Sequence, residues 1–251
     1  MNYRSTSIKS KWKKSTWLLK QSNLKKFVPQ TMLFNKKNLI SMLSTYHTVY
    51  FKPTGGSGGV NIIRIKRKGK GYQTQLNTVK STYSTIHRLY DELCRFSNKK
   101  SFLLQKGINL ARTKGKPFDI RVMVQKTNKG AWVSTAMFAK IGKTGKVATN
   151  YNQGGKIGYI YPTMSGAGYN AVEIKRMESK LKELGISVGN NFDKYLNGFR
   201  ELGLDVALDS SGKPWILEVN TRPQFYPLKN MKDKKLYKRI VSYAKQYGRL
   251  K

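Results

Sequence analysis

The sequence predicts an α+β protein built on antiparallel hairpins, from two strand pairs and the amphipathic helices between them. Thr48-Val-Tyr-Phe-Lys52 and Val60-Asn-Ile-Ile-Arg-Ile65 are rich in β-branched and aromatic residues and flank Pro53-Thr-Gly-Gly-Ser-Gly-Gly59, a strand, glycine loop and strand in succession. Leu204 to Leu208 and Trp215 to Asn220 alternate in side-chain character around Asp209-Ser-Ser-Gly-Lys-Pro214, which supplies turn chemistry. Apolar residues at Val79, Tyr83, Ile86, Tyr90 and Leu93 recur at helical spacing.

In chain order, residues 10 to 28 read as a basic helix carrying Trp12, Trp17, Leu18 and Leu24, ended by Pro29. A short helix over 38–45 precedes the first hairpin, and a helix over 79–97 follows it. Strands are expected over 101–105, 117–125 and 131–141. In the middle one Phe118, Ile120, Val122 and Val124 share one face, leaving Asp119, Arg121 and Gln125 on the other. Residues 151–168 read as a glycine-rich loop, and helices are expected over 170–184, 188–202 and 231–247.

The 251 residues are enough for one large domain or two packed subdomains. Lys and Arg number 49 against 12 Asp and Glu, a formal net charge of +37 spread along the whole chain, so the surface should attract polyanions and repel cations. Nucleic acid bound non-specifically, anionic polymers, acidic lipid surfaces and acidic proteins all suit such a surface, and charge alone does not choose among them. The chain shows no zinc-finger spacing or RNP motif of a sequence-specific reader. A single cysteine, Cys94, rules out a disulfide within the chain and reads as a buried structural thiol on a helix face. No apolar run approaches the length of a membrane span, and Trp17-Leu18-Leu19 is too short for a signal-peptide core, so a cytoplasmic protein is expected.

The second hairpin concentrates scarce negative charge. With Ser210 to Lys213 as its loop, Asp209 pairs with Pro214 and Asp205 falls opposite Glu218, while Glu218 and Asn220 share a face. Facing carboxylates repel. Two carboxylates and an amide oxygen suit a hard divalent cation such as Mg2+, which also holds substrate phosphates; an ordinary hairpin with solvated acids is the alternative. The backbone N–H groups of Gly55, Gly56, Ser57, Gly58 and Gly59 can wrap a phosphate beside the point charge of Lys52, although a ligand-free glycine turn has the same pattern. Arg121 beside Asp119 is suited to clamping phosphate oxygens or to a structural ion pair.

Phosphate loop first and oxygen-ligand hairpin last, this order resembles the ATP-grasp superfamily over nearly the whole chain, and within it the spore-coat-associated YheC/YheD family. Lys11-Trp12 ahead of Leu18-Leu19 resembles the opening helix whose lysine reaches nucleotide phosphates. Val49 to Pro53 with Gly55 to Gly59 resembles the strand lysine and the loop that closes over the triphosphate. Phe102-Leu-Leu-Gln105-Lys106-Gly-Ile108 resembles the linker that receives adenine, Phe118-Asp-Ile-Arg-Val122 the arginine strand, and Asn150 to Gly155 the N...GG segment of related glutamate ligases. Asp205, Glu218 and Asn220 match the superfamily's magnesium triad, continued by Thr221-Arg222-Pro223.

The resemblance implies an ATP-grasp fold, two α+β subdomains holding ATP between antiparallel sheets. It divides the chain into an opening helix (1–30), a small subdomain with the glycine loop (31–104) and a large subdomain with the metal hairpin (105–251), without the N-terminal domain that many relatives carry. It implies a ligase that uses ATP and Mg2+ to join a carboxylate to an amine or thiol through an acyl phosphate, drawn to an acidic peptide or to a spore-coat or cell-wall component, with spore-coat association as its implied location. Lys11, Lys52, residues 55–59, Gln105, Lys106, Ile108, Asp119 and Asn150 would hold the nucleotide, Asp205, Glu218 and Asn220 the metal, and Arg121 and Arg222 would stabilise the transferring phosphoryl group. Asn109-Leu-Ala-Arg112 departs from the pattern by offering no acid for the ribose. A basic polyanion-binding protein that keeps the fold without the chemistry is the alternative.

Overall fold

Every strand pairing in the computed structural model is antiparallel, and the strands gather into two sheets. The structure describes residues 5–56, 58–147, 149, 151 and 154–250. The chain opens with helices α1 (Lys11–Leu19) and α2 (Ser22–Lys25), then β1 (Thr31–Leu33), α3 (Lys36–Thr45), β2 (Thr48–Pro53), β3 (Ile63–Lys68), β4 (Gly71–Leu76), β5 (Val79–Tyr83), α4 (Ile86–Ser97) and β6 (Phe102–Lys106). These strands form a six-stranded sheet in the order β1-β6-β2-β3-β4-β5. Next come β7 (Arg112–Thr113), β8 (Lys116–Lys126), β9 (Trp132–Ile141), β10 (Lys156–Gly158), α5 (Ile160–Ser165), α6 (Ala171–Asp193), β11 (Glu201–Leu208), β12 (Pro214–Asn220), a 3-10 turn over Tyr226–Asn230 and α7 (Lys235–Gln246). The second sheet runs β10-β9-β8-β11-β12, with β7 paired to β8.

Period-2 alternation decides which face of each sheet is apolar. In the first sheet Val49, Phe51, Ile65 and Leu104 pack under Leu39, Met42 and Leu43 of α3 and Leu89 and Leu93 of α4. In the second, Phe118, Ile120, Val122 and Val124 meet α6, α5 and the opening helices, which contribute Trp17, Leu18 and Leu24. The opposite face is divided. Met123, Ala136 and Phe138 lie beneath Phe225, Leu228, Ile240 and Ala244, so α7 covers one end. The other end, with Asp119 and Arg121, is left for the first sheet to approach, and there a cavity forms. The expected two-sided reading of 117–125 therefore holds.

Several element boundaries differ from expectation. The helix expected over 79–97 is a strand, β5, and then α4, because Asn77 adopts a left-handed φ of 54° that turns the chain tightly from β4 and Thr85 caps a new helix at Arg88. The strand expected from Val60 begins at Ile63, since Asn61 at φ 59° prolongs the glycine turn. The single helix over 10–28 is broken between Leu19 and Ser22, and the region 151–168 contains β10 and α5. Cys94 is half-buried rather than buried.

The helices expected over 170–184 and 188–202 are one helix, α6, and residues from Glu201 onward belong to β11. The expected gap falls at Gly185, yet Gly185 and Gly189 are both inside the helix where it rests on the sheet. A Cβ on Gly185 would lie 2.8 Å from Val124 and one on Gly189 2.6 Å from the Trp132 indole. Close approach, not chain reversal, is their use. Among the described residues no helix is long and apolar enough to cross a membrane.

Gly189→Ala should therefore destabilise the fold despite the better helix propensity of Ala. Overpacking against a rigid ring costs about 1–3 kcal/mol against a gain of about 1 kcal/mol, so the melting temperature should fall. A rise in melting temperature would show that the indole has room to move.

Candidate functional site between the two sheets

The β11–β12 hairpin places Asp205 opposite Glu218 and Gly203 opposite Asn220. The route to that register differs from the expected one. The ladder starts with Leu208 opposite Pro214, so the turn is Asp209 to Lys213, and the register shifts between Asp205 and Val206. Val206 faces Ile216 and Asp205 faces Glu218, leaving Leu217 as an extra residue, a β-bulge. Turn and bulge offset each other. The turn itself is held by Asp209, whose Oδ1 accepts from the backbone N–H of Ser211 and of Lys213, each at 3.0 Å, and whose Oδ2 accepts from the Trp215 indole at 2.7 Å.

Asp205 is nearly buried and surrounded by donors. Arg121 Nε lies 2.7 Å and Lys140 Nζ 2.9 Å from its Oδ1, and Asn220 Nδ2 lies 3.2 Å from its Oδ2. Lys140 also reaches Asp119 Oδ1 at 2.8 Å, and Thr149 donates to Asp119 Oδ2. Register explains the cluster: Asp205 pairs with Arg121 across β11 and β8, and Asp119 with Lys140 across β8 and β9. Burial alone would raise the Asp205 carboxyl, but Arg121 and Lys140 outweigh it and hold the group well below the usual carboxylate range. Burial pushes Asp119 upward, opposed by Lys140 and reinforced by the charge of Asp205.

The first sheet contributes the other wall. Lys52, on β2, points its amine at Gln105 Oε1 of β6, 2.6 Å away. Burial lowers the Lys52 ammonium to about 8, with Glu218 opposing. Gln105 is itself 3% exposed and donates to Thr31 Oγ1 at 3.3 Å and to the carbonyl of the bulged Leu217 at 3.4 Å. The two sheets thus meet at an amide and a bulge. Lys11, at the start of α1, donates to the carbonyls of Gly55 and Gly56 at 3.2 and 2.7 Å, and its amine is 3.7 Å from Glu218.

The sequence-predicted residues converge to different degrees. Lys52, Gln105, Lys106, Ile108, Asp119, Asp205 and Glu218 line one cavity of about 90 Å3 between the sheets, walled by Ile62, Leu110 and Leu217. Lys11, Gly58, Gly59, Arg121, Asp205, Glu218 and Asn220 line the adjoining space at the hairpin end. Gly55 and Gly56 are tied to Lys11. Arg222 is exposed beyond β12 and lines neither space. Ser57 and Asn150 lie outside the described residues.

Sequence reasoning missed two lysines. Lys140 bridges the two buried aspartates, and its signal was the β8–β9 register, which sets it opposite Asp119. Lys14, 5% exposed, lies with Lys11, Lys52 and Glu218 around a narrow cleft. It follows Lys11 by one helical turn, on the face that also carries Leu18. Burial lowers the Lys14 ammonium, against the pull of Glu218.

The oxygen set fits a hard cation in kind, being two carboxylates and an amide. Among the described residues no group of three His, Cys, Asp or Glu is assembled, so Asn220 is the needed third donor. Positive charge already surrounds it. Arg121 and Lys140 hold Asp205, Lys11 approaches Glu218, and Lys14 and Lys52 stand behind, so an incoming cation meets a favourable field only together with an anion.

Two antiparallel sheets facing each other across such a cavity define the ATP-grasp class. Solved structures of that fold superpose across almost the whole chain. N5-carboxyaminoimidazole synthetase from Staphylococcus aureus, complexed with ADP, matches with a TM-score of 0.57 at 12% identity, covering 94% of this chain and 52% of that one. VanG D-Ala:D-Ser ligase from Enterococcus faecalis matches with a TM-score of 0.54 at 12% identity, covering 93% and 61%. Within the class, a family model described as YheC/D-like ATP-grasp matches residues 2–250, and the chain belongs to that family. Endospore coat-associated protein YheD of Bacillus subtilis (strain 168) is 28% identical over 221 residues, 85% of this chain. The chain spans 48% of the length of that relative.

Removing Lys140 should expose the cost of the buried acids. Lys140→Met leaves Asp119 and Asp205 sharing too little positive charge, and breaking a buried pair by deleting one partner costs about 3–5 kcal/mol. Urea unfolding should show that loss, and Asp119→Asn added to Lys140→Met should recover part of it. Additive losses in the double variant would mean the pair is not coupled.

Proposed function

We propose that the chain is an ATP- and Mg2+-dependent ligase that activates a carboxylate as an acyl phosphate and joins it to an amine or thiol. One observation carries the reading: the glycine loop, Lys52, the Arg121–Asp205–Lys140 cluster and the Glu218–Asn220 pair, drawn from five separate strands and one loop, converge on a cavity between two sheets and the space adjoining it, with Asp205 and Glu218 common to both. Family membership supports it.

Each residue has a role that follows from its chemistry. Ile62, Leu110 and Leu217 offer apolar walls to adenine, with backbone groups near Lys106 and Ile108 at its edge. Lys11, Lys14 and Lys52 neutralise phosphate oxygens. Asp205, Glu218 and Asn220 would hold Mg2+, which would offset the negative charge of the phosphates. Arg121 is fixed through Nε by Asp205 and through Nη1 by the Gln224 carbonyl at 3.4 Å, and it lines the space at the hairpin end, where its charge would stabilise the transferring group. The substrate carboxylate oxygen attacks the γ-phosphorus, the bond to the β,γ-bridging oxygen breaks, and ADP leaves. The amine or thiol then attacks the acyl carbon and phosphate departs. Positioning and charge suffice, and no side-chain nucleophile is needed. At about 90 Å3 the cavity is smaller than the roughly 300–1,000 Å3 of ligand pockets, so nucleotide entry requires the sheets to part.

The carboxylate is proposed to belong to an acidic peptide or a spore-coat or cell-wall component, steered by the net charge of +37. That same charge favours a second reading, a polyanion-binding protein with the fold and no turnover.

Mg-ATP at millimolar concentration should raise the melting temperature, whereas Mg2+ alone should not, because the cations around Asp205 and Glu218 oppose a lone metal ion. Glu218→Ala should abolish phosphate release with acidic peptides as acceptors; unchanged release would remove the metal assignment. Nucleotide binding without turnover on any carboxylate would favour the second reading.

Lys52 gives a pH test. Its folded value of about 8 is below the ordinary lysine value, so the cost of burying its charge is present below 8 and relieved as pH rises through 8 toward the unfolded value. Nucleotide affinity should move the opposite way. Isothermal titration should show ATP binding weakening above pH 8, and Lys52→Arg, which keeps its charge, should flatten that profile. A wild-type affinity constant from pH 7 to 9.5 would exclude Lys52 from phosphate binding.

A further inference from the structure

A second cavity, of about 760 Å3, adjoins the first and shares Tyr50, Lys106, Ile108, Leu110, Val147 and Thr149 with it. Its walls come from both sheets. Arg64 and Lys66 of β3 and Lys80 of β5 stand on one side, Arg112 of β7 on another, and Lys143 and Lys146 close it from the β9–β10 connection. Among the described residues no carboxylate lines it. Among the described residues none of the ion pairs involves these six side chains.

The arrangement is held in place. Gln75, 3% exposed, accepts from Arg64 Nη2 and donates to the carbonyls of Asn77 and Gly145, both at 2.7 Å, which pins the β9–β10 connection to β4. Arg64 Nε is buried without a hydrogen-bond partner, and a buried unpaired donor on a cation is costly. Arg112 is steadied by the carbonyl of Gly115 at 2.8 Å. Burial first, and then the charges of Arg64, Lys80 and Arg112, loosen the proton on Lys66, so like charges are crowded in a recess. The net charge of the chain accounts for basic residues everywhere on its surface, but not for a recess that gathers them from three strands and a loop around one unpaired guanidinium nitrogen.

We propose that the basic walls of this cavity, whose six cations do not line the candidate nucleotide and metal pocket, bind a small oligophosphate anion. Several charges on one compact ligand match cations distributed over three walls. A recess of this size excludes a duplex or a membrane surface. Because its walls belong to both sheets, the bound anion bridges them and reinforces the Gln75 to Gly145 contact.

The test is titration of inorganic tripolyphosphate into the full chain at about 0.15 M salt, where long-range surface attraction is screened beyond roughly 8 Å. Calorimetry is run with and without a non-hydrolysable ATP analogue at constant free Mg2+. One anion should bind per chain with the same affinity in both arms. Lys66→Ala/Lys80→Ala/Lys143→Ala should weaken it about tenfold or more. Lys80→Ala/Lys143→Ala, confined to exposed positions, should weaken it in the same direction with an unchanged melting temperature. Lys175→Ala/Lys182→Ala, which removes the same charge from the exposed face of α6, should leave it unaltered. Equal weakening by both double variants, or binding that never saturates, would reduce the effect to general surface charge. Competition with the ATP analogue would place the anion in the nucleotide pocket and overturn the proposal. If the analogue does not bind and tripolyphosphate does, this inference stands and the ligase reading falls.

Discussion

The alternation of buried charge across β8, β9 and β11 is the constraint on which the rest depends. Asp119, Lys140, Asp205 and Arg121 touch in sequence at 2.7 to 2.9 Å, and they occupy two rungs of one sheet, Asp119 opposite Lys140 and Arg121 opposite Asp205. Buried ion pairs add little net stability against apolar packing, but deleting one member leaves a naked charge. They fix three strands in register. A slip of one residue would turn Asp119 and Arg121 into the apolar layer beneath α6 and bring Phe118 and Ile120 out toward the other sheet. Everything that the hairpin offers a ligand is measured from that register.

A net charge of +37 poses a second problem, which is how two lobes of like sign stay together. The first acid in the chain is Asp91, so the strands β1 to β5 bring no carboxylate to the junction. Neutral acceptors take the place of acids. Gln105 reaches the Leu217 carbonyl, Gln75 reaches the Gly145 carbonyl, and Lys11 reaches the carbonyls of Gly55 and Gly56. Backbone oxygens cannot be titrated, so these contacts do not weaken as carboxylates gain protons. They are also individually modest, about 0.5–1.5 kcal/mol each for neutral pairs.

Much of this was legible in the sequence. Alternation gave both faces of β8, and turn chemistry gave the β11–β12 hairpin. The facing of Asp205 and Glu218 was reached through a turn one residue too short at its Asp209 end, offset by a bulge that no sequence pattern announces. The gap expected between helices 170–184 and 188–202 falls inside α6, where Gly185 serves close packing against Val124 and not chain reversal. Lys140 was hidden among 49 basic residues, since its distinction is a partner on the next strand and not its own type. The second cavity was invisible for the same reason: its cations are separated along the chain and meet only when the β3–β4–β5 strands and the β9–β10 connection face each other.

The bulge at Leu217 has one more consequence. Because the shift in pairing is absorbed between Asp205 and Val206, the turn from Asp209 to Lys213 and the rung that carries Asp205 and Glu218 are mechanically decoupled. The bulge behaves as slack in the ribbon. A five-residue turn and an extra residue at position 217 compensate each other, so the facing carboxylates sit where an unbulged hairpin with a four-residue turn would also place them.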